Sequence, residues 1–291
     1  MIITNVIGGL GNQMFQYAFG RALALRHRVP LKLDLHEFRT YGLHTGFMLD
    51  KAFGLPAAQA SEEDLRSVLG RRGYRTALRL LRRPRFERWR GGRLLVQDLS
   101  VPAAEYIDAA SAECYLLGYW QSERYFLDAG EQLRRDFRFP ELPGENRKWA
   151  SRIADSASVS VHIRRGDYAS DPQTLATHGL CTPDYYERAM AHMAGRARGA
   201  EFFLFSDDLD WARQALRIPY PHHFVDGNGP EGGHHDMHLI SLCRHHVIAN
   251  SSFSWWGAWL CEHAGKTVVA PARWLAGIAM PEVVPQSWVR L

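Results

Sequence analysis

Residues 1–7 form a short apolar run containing Ile and Val, which predicts a buried strand over 2–7. In QMFQYAFGRALALRHR the apolar positions recur near every 3.6 residues, which predicts a helix over 12–27, and the next apolar run predicts a strand at 31–35. Arginine-rich helical and loop segments follow, then a strand-like segment at 113–120 and a helix near 122–135. Proline, glycine and charge crowd into FRFPELPGENRKW, which predicts a boundary near 138–148. Beyond it the alternation restarts. Strands are expected at 158–163, 200–206, 245–250 and 266–271, with helices at 182–197, 207–216, 235–243 and from 251 onward. Thr182 followed by Pro183 marks one helix start. Two successive blocks of alternating strand and helix predict two doubly wound, Rossmann-like α/β domains, 1–145 and 146–291. Ligands of such domains sit beyond the carboxyl ends of the strands, and the unusual motifs of this chain fall there.

A chain of 291 residues is long enough for two such domains, and its 46% hydrophobic and 23% charged content is ordinary for a globular protein. The net charge of +4 is too small to argue for nucleic acid, but its distribution is uneven. Residues 71–93 carry ten Arg against one Glu. This is either a solvated helix and loop or a peripheral contact with an anionic membrane surface, and no nucleic-acid-binding motif accompanies it. Cys114, Cys181, Cys243 and Cys261 lie far apart with no C-x-x-C, which fits neither a zinc site nor a disulfide framework and points to a reducing compartment. No basic-plus-apolar leader and no run of 18 apolar residues is present, so the expectation is a cytoplasmic protein, peripheral at most to the inner face of the membrane.

Four motifs carry the candidate chemistry. Gly8, Gly9 and Gly11 lie between the first strand and helix, where backbone N–H groups can meet an anion. The loop fits neither G-x-G-x-x-G nor a P-loop, but Asn12 and Gln13 offer amides suited to phosphate or sugar hydroxyls. VHIRRGDY ends a strand in His162, Arg164 and Arg165, two adjacent guanidiniums suited to a pyrophosphate, followed by Asp167. LFSDDLDW places Ser206, Asp207 and Asp208 at a strand-to-helix junction, where helix capping competes with a metal-binding D-x-D reading of Asp208 and Asp210. In HHDMHLISLCRHHVIANSSFSWWGAWL, Asp236 opens a helix, and Asn250, Ser251, Ser252, Phe253 and Ser254 form a possible phosphate seat at the next helix start. The three tryptophans after it are expected in the core, and the histidines show no metal-ligand spacing.

Together, GGLGNQMFQYAFG, VHIRRGDY, FSDD and DMHLISLCRHHVIANSSFSWWGAWL resemble the bacterial α-1,2-fucosyltransferases of glycosyltransferase family 11, in family order and over essentially the whole chain. The resemblance implies a GT-B-like fold, two Rossmann-like domains facing a cleft, and metal-independent inverting transfer of fucose from GDP-fucose to O2 of a galactoside, on an oligosaccharide or a lipid-linked glycan. It implies that Arg164 and Arg165 offset the charge of the departing β-phosphate, aided by Ser252, and that Asp236 reads the guanine edge. His162 and Ser206 would contact the nucleotide, Asp207 and Asp208 its ribose or base side, and Gly11 and Asn12 the phosphates and fucose. No metal and no cofactor are expected. The general base is left open between Asp167, whose pKa the arginines would lower, and His178. For the acceptor, His36, Tyr41, His44 and His178 are the candidates. A fucosyltransferase of another linkage, or a non-catalytic GDP-sugar- or carbohydrate-binding protein, is the alternative.

Overall fold

The structure, a computed structural model, describes the chain apart from residues 43, 44 and 57 and the side chains of 167 and 170, so His44 and the carboxylate of Asp167 lie outside the described residues. It divides into two compact units, Met1–Pro140 and Glu141–Leu291. Among the described residues no helix is long and apolar enough to cross a membrane.

Unit 1 runs β1 (Ile2–Asn5), α1 (Leu10–His27), β2 (Leu31–Asp34), α2 (Leu49–Phe53), α3 (Glu62–Leu69), α4 (Arg75–Leu81), β3 (Leu94–Val96), α5 (Ala103–Ala109), β4 (Cys114–Leu117) and α6 (Gly130–Asp136). Its sheet is parallel in the order β2-β1-β4-β3, so the direction of winding reverses between β1 and β4. β1 is buried throughout, as a strand covered on both faces must be. Helix α1 begins two residues earlier than the periodicity suggests. Gly8, at φ +88°, makes the turn, and Gly9 is the N-cap, so Gly11 and Asn12 lie in the first helical turn. At Gly20 an added Cβ would lie 2.8 Å from Leu31 Cδ1, so the glycine lets α1 lie close against β2. The helix expected near 122–135 is broken. A 3₁₀ segment covers Glu123–Ala129 with Phe126 out of helical geometry, and α6 follows. Tertiary packing overrides the pattern here, because Phe126 is fully buried with its ring 6.1 Å from that of Phe15.

Unit 2 runs α7 (Gly144–Ala154), β5 (Ala157–Ile163), α8 (Gly166–Ser170), α9 (Pro172–His178), α10 (Pro183–Arg196), β6 (Ala200–Ser206), α11 (Leu209–Ala215), β7 (His222–Phe224), α12 (Gly233–Leu242), β8 (His245–Val247), α13 (Ser252–Leu260), β9 (Val268–Ala270) and β10 (Val289–Arg290). Its parallel sheet has the order β10-β9-β8-β5-β6-β7. The chain winds outward from β5 through β6 and β7, then returns to the other side of β5 through β8, β9 and β10, so its switch point lies between β5 and β8. The short strands β3, β7 and β10 have too little pattern to be read from sequence. The boundary falls before α7 because that helix packs with unit 2. Trp149 meets Phe203 and His223 at ring-centroid distances of 6.4 and 6.1 Å, and Asn146 bonds Asn228. The tryptophans of α13 are core as expected, Trp255 and Trp256 fully buried and Trp259 9% exposed. Lys266 Nζ closes the end of this helix by donating to the carbonyls of Ala258, Trp259 and Cys261 at 2.8, 3.2 and 2.8 Å.

Candidate active site

In unit 2 the candidate residues converge on the carboxyl ends of β5, β6 and β8, the region where open parallel sheets bind ligands. His162 is the penultimate residue of β5, and Arg164 and Arg165 follow directly. Arg164 Nη1 lies 2.7 Å from Asp207 Oδ2, and Asp207 Oδ1 accepts the backbone N–H of Arg165 at 2.8 Å. Arg165 Nε is 3.5 Å from Asp208 Oδ2, and its guanidinium stands 3.9 Å from the centre of the Trp211 ring. Gly166 makes room for this arrangement, since a Cβ there would fall 2.6 Å from Asp207 Oδ2.

These contacts change the assignment of the aspartates. Asp207 aims the arginines, rather than lying free to face a ribose. Asp208 caps α11 by accepting from Trp211 N at 3.1 Å, and Ser206 Oγ accepts from Asp208 N at 2.9 Å, so both side chains serve the turn. Asp210 pairs with Arg213 at 3.1 Å, so the D-x-D aspartates are each engaged with their own helix. Among the described residues no group of three or more His, Cys, Asp or Glu could hold a metal ion.

His162 is buried, its ring 5.2 Å from that of Phe253, and its Nδ1 has no hydrogen-bond partner among the described residues. Burial brings its pKa down to about 4, with the Asp207 charge opposing and Arg164 reinforcing, so the ring is neutral at pH 7. On the other flank Tyr168 lies 5.4 Å from the Arg164 guanidinium and stacks on His178 at 4.5 Å. His178, at the end of α9, therefore belongs to the arginine site of unit 2.

The asparagine–serine block divides by burial. Asn250 is 4% exposed, and its amide donates to the carbonyls of His178 and Trp274 at 2.8 and 3.3 Å, which ties the β8 end to two loops. Ser251 Oγ caps α13 through Phe253 N at 3.3 Å, and Ser254, fully buried, donates back to Ser251 O at 3.2 Å. The side chains of Asn250, Ser251 and Ser254 thus hold the turn. Ser252 and Phe253 are the partly exposed members of the block.

Asp236 lies in the first turn of α12. Asn228 Nδ2 donates to it at 2.8 Å, and Asn228 exchanges two further 2.8 Å bonds with Asn146. Burial raises the Asp236 carboxyl to about 7, against the pull of the Asn228 bond. A cavity of about 510 Å³ opens beside the amides, lined in part by Asn146, Trp149, Asp226 and Asn228. Neither Asn146 nor Asn228 stands in a recognisable motif, so only the fold brings them to Asp236.

In unit 1 the glycine loop again sits at a switch point. Asn12 Oδ1 accepts from Gln121 Nε2 at 2.7 Å, just beyond β4. Gln13, expected to face a ligand, is fully buried. It donates to the carbonyls of Gly8 and Gly46 and accepts from Met48 N, each at 2.8 Å, and so fixes the loop. His36 opens a 3₁₀ turn after β2, its N–H bonded to Asp34 Oδ1 at 3.2 Å, and the Tyr41 ring lies 6.1 Å from that of Phe38. A charged cluster that the sequence did not suggest lies alongside. Asp34 bonds Arg75 and Tyr115, both at 2.6 Å, while Glu37 pairs with Arg82 and accepts from Asn5 at 3.1 Å. Burial works to raise the Asp34 carboxyl, but the bonds from Arg75 and Tyr115 outweigh it and hold it low. Tyr119 is 48% exposed, and its phenol is raised by burial and by the Glu37 charge.

Residues 97–287 match the family model for glycosyl transferase family 11. An α-1,2-colitosyltransferase of Escherichia coli is 35% identical over 300 aligned residues, covering 100% of this chain and 99% of that protein. The chain belongs to glycosyltransferase family 11. A galactoside 2-α-L-fucosyltransferase, SEC1, of Bos taurus is 31% identical over 127 residues, covering 43% of this chain and 33% of that one. Among solved structures, the NodZ α-1,6-fucosyltransferase soaked with GDP-fucose superposes with a TM-score of 0.51 at 15% identity, covering 89% of this chain and 91% of that one. A point mutant of Arabidopsis thaliana FUT1 in complex with GDP gives 0.51 at 12% identity, covering 92% and 70%. These likenesses make the fold of this family 11 member GT-B-like, with two parallel α/β units.

Proposed function

We propose that this family 11 glycosyltransferase moves L-fucose from GDP-fucose to O2 of a terminal β-galactoside with inversion, giving an α-1,2 linkage, and that it needs no metal. The observation that carries the reading is the Arg164–Arg165 pair, fixed by Asp207, Asp208 and Trp211 at the switch point of unit 2. As the bond from the anomeric carbon to the β-phosphate oxygen breaks, negative charge grows on that phosphate. Donors already held in place stabilise it without reorganising, and removal of one such donor costs about 10²–10³ in rate. Arg164 and Arg165 take this role, with Ser252 and the N-terminus of α13 as further donors. Asp236 accepts from the N1–H and N2–H edge of guanine. Its raised pKa makes donor affinity pH-dependent: the ionised carboxylate is the acceptor, so affinity falls as pH drops below about 7.

The acceptor is assigned to unit 1, with His36 and Tyr41 joined by Glu37 and Tyr119, where a half-exposed aromatic face beside a carboxylate suits a sugar. A proton leaves the attacking hydroxyl in the reaction, and Asp167 and His178 are the groups proposed to receive it.

The full-length likeness to a colitosyltransferase favours a second reading, in which the donor sugar is GDP-colitose, 3-deoxyfucose. One experiment addresses both. The protein is incubated with lactose and either GDP-fucose or GDP-colitose, and the linkage of the product is read by NMR. A 2-linked fucosyl product supports the first reading, and transfer from GDP-colitose alone supports the second. Failure with both donors, over a panel of β-galactosides, overturns the reaction.

A further inference from the structure

The segment from α3 to residue 93 uses one side for the core of unit 1 and leaves the other uncovered. Leu65, Val68, Leu69, Leu78 and Leu81 are buried against Ile3, Leu94 and Tyr115. Its arginines divide in the same way. Arg75 is held by Asp34 and Glu62, Arg82 by Glu37, and Arg90 donates to Leu81 O at 3.0 Å. Arg71, Arg79, Arg83, Arg85 and Arg88 are exposed, with no carboxylate within ion-pair distance among the described residues. Of the acids in this segment, Glu62 pairs with Arg75, Asp64 with Lys32 at 2.7 Å, and Glu87 lies 3.8 Å from Arg90, while Glu63 is exposed in the first turn of α3.

Three large side chains lie exposed among these free cations: Tyr74 at 52%, Leu80 at 48% and Trp89 at 58%. Local contacts tie Tyr74 and Trp89 into the segment. Arg72 Nε donates to Trp89 O at 2.7 Å, which joins the turn before α4 to the turn after it. Arg66 lies 5.6 Å from the centre of the Tyr74 ring, and Arg88 lies 5.8 Å from that of Trp89.

We propose that this face is a docking surface for an anionic lipid bilayer. Unpaired arginines meet the negative headgroups, while Trp89, Tyr74 and Leu80 enter the interfacial layer, where aromatic side chains with a polar end are favoured. An aliphatic Leu80 among unpaired arginines on short helical segments fits a lipid surface better than a nucleic-acid strand, which calls for a groove lined with stacking rings. Docking would bring the transferase to lipid-linked glycans, but the proposal stands whatever sugar is moved, because it is tested without transfer.

The full chain is sedimented with vesicles of phosphatidylcholine alone, or of phosphatidylcholine and phosphatidylglycerol in equal parts, at about 0.1 M and 0.5 M NaCl. Binding to the anionic vesicles is expected, at least tenfold weaker at the higher salt, with little binding to neutral ones. Arg79→Gln with Arg83→Gln should weaken it about 30-fold, from roughly fivefold per charge. Leu80→Ser with Trp89→Ser should weaken it at both salt concentrations alike. An unchanged melting profile for each variant shows that the fold is retained. Equal binding to both vesicle types, or indifference to both variants, would overturn the proposal.

Discussion

Replacing Asp236 by Asn tests the electrostatics of the proposed guanine end and requires no substrate. The amide has the shape of the carboxylate, and its oxygen can still accept from Asn228, which lies 2.8 Å from Asp236 Oδ1. Ionisation is removed, and the second carboxylate oxygen becomes an NH2 donor. Burial raises the carboxyl from 3.8 to about 7, so the folded state holds this proton more tightly than the unfolded chain does. Linkage fixes the sign. With respect to this group the fold is most stable below pH 4, loses stability as pH rises from 3.8 to 7, and is level above that. A shift of about 3 units at 1.36 kcal/mol each gives a penalty of about 4 kcal/mol at pH 8, against roughly 2 kcal/mol at pH 5. Asp236→Asn should therefore be more stable than the native chain at pH 8, and its advantage should shrink by about 2 kcal/mol at pH 5. Calorimetric melting of both proteins at the two pH values reads this as a difference of several degrees. A variant that melts below the native protein at pH 8, or an advantage independent of pH, refutes the reasoning.

Three further outcomes are expected. Arg164→Ala should lower kcat about 10²–10³-fold while the melting temperature changes little, and loss of fold instead would make the Arg164–Asp207 pair structural. Transfer should persist in EDTA, and near-complete loss restored by manganese would return Asp208 and Asp210 to consideration as ligands. On a soluble disaccharide Arg79→Gln and Arg83→Gln should leave kcat unchanged, whereas Arg82→Gln should raise acceptor KM by freeing Glu37, and equal effects at all three positions would contradict the division of the arginines.

The two-block alternation of strand and helix is a local signal, because each buried parallel strand is a short apolar run and each helix has its own period. It was readable from residues 2–7, 158–163 and 200–206, and it led to two wound sheets. The arginine pair was legible for a similar reason: adjacent guanidiniums after a buried strand must emerge at its carboxyl end. Their partners were not. Asp207 stands just past the neighbouring strand, 42 residues from the Arg165 N–H it accepts, and only the β5–β6 register brings the two together. Burial likewise decided among residues of one chemical type. Within a single motif it assigned Asn250 and Ser254 to holding the turn and left Ser252 partly exposed, and it turned Gln13 inward beside Asn12. In the arginine-rich stretch, composition gave ten like charges but not their fate. Asp34, buried at the end of β2, claimed Arg75, and Glu37 in the turn just beyond it claimed Arg82, because carboxylates drawn away from water need a cation and a solvated arginine does not need a carboxylate.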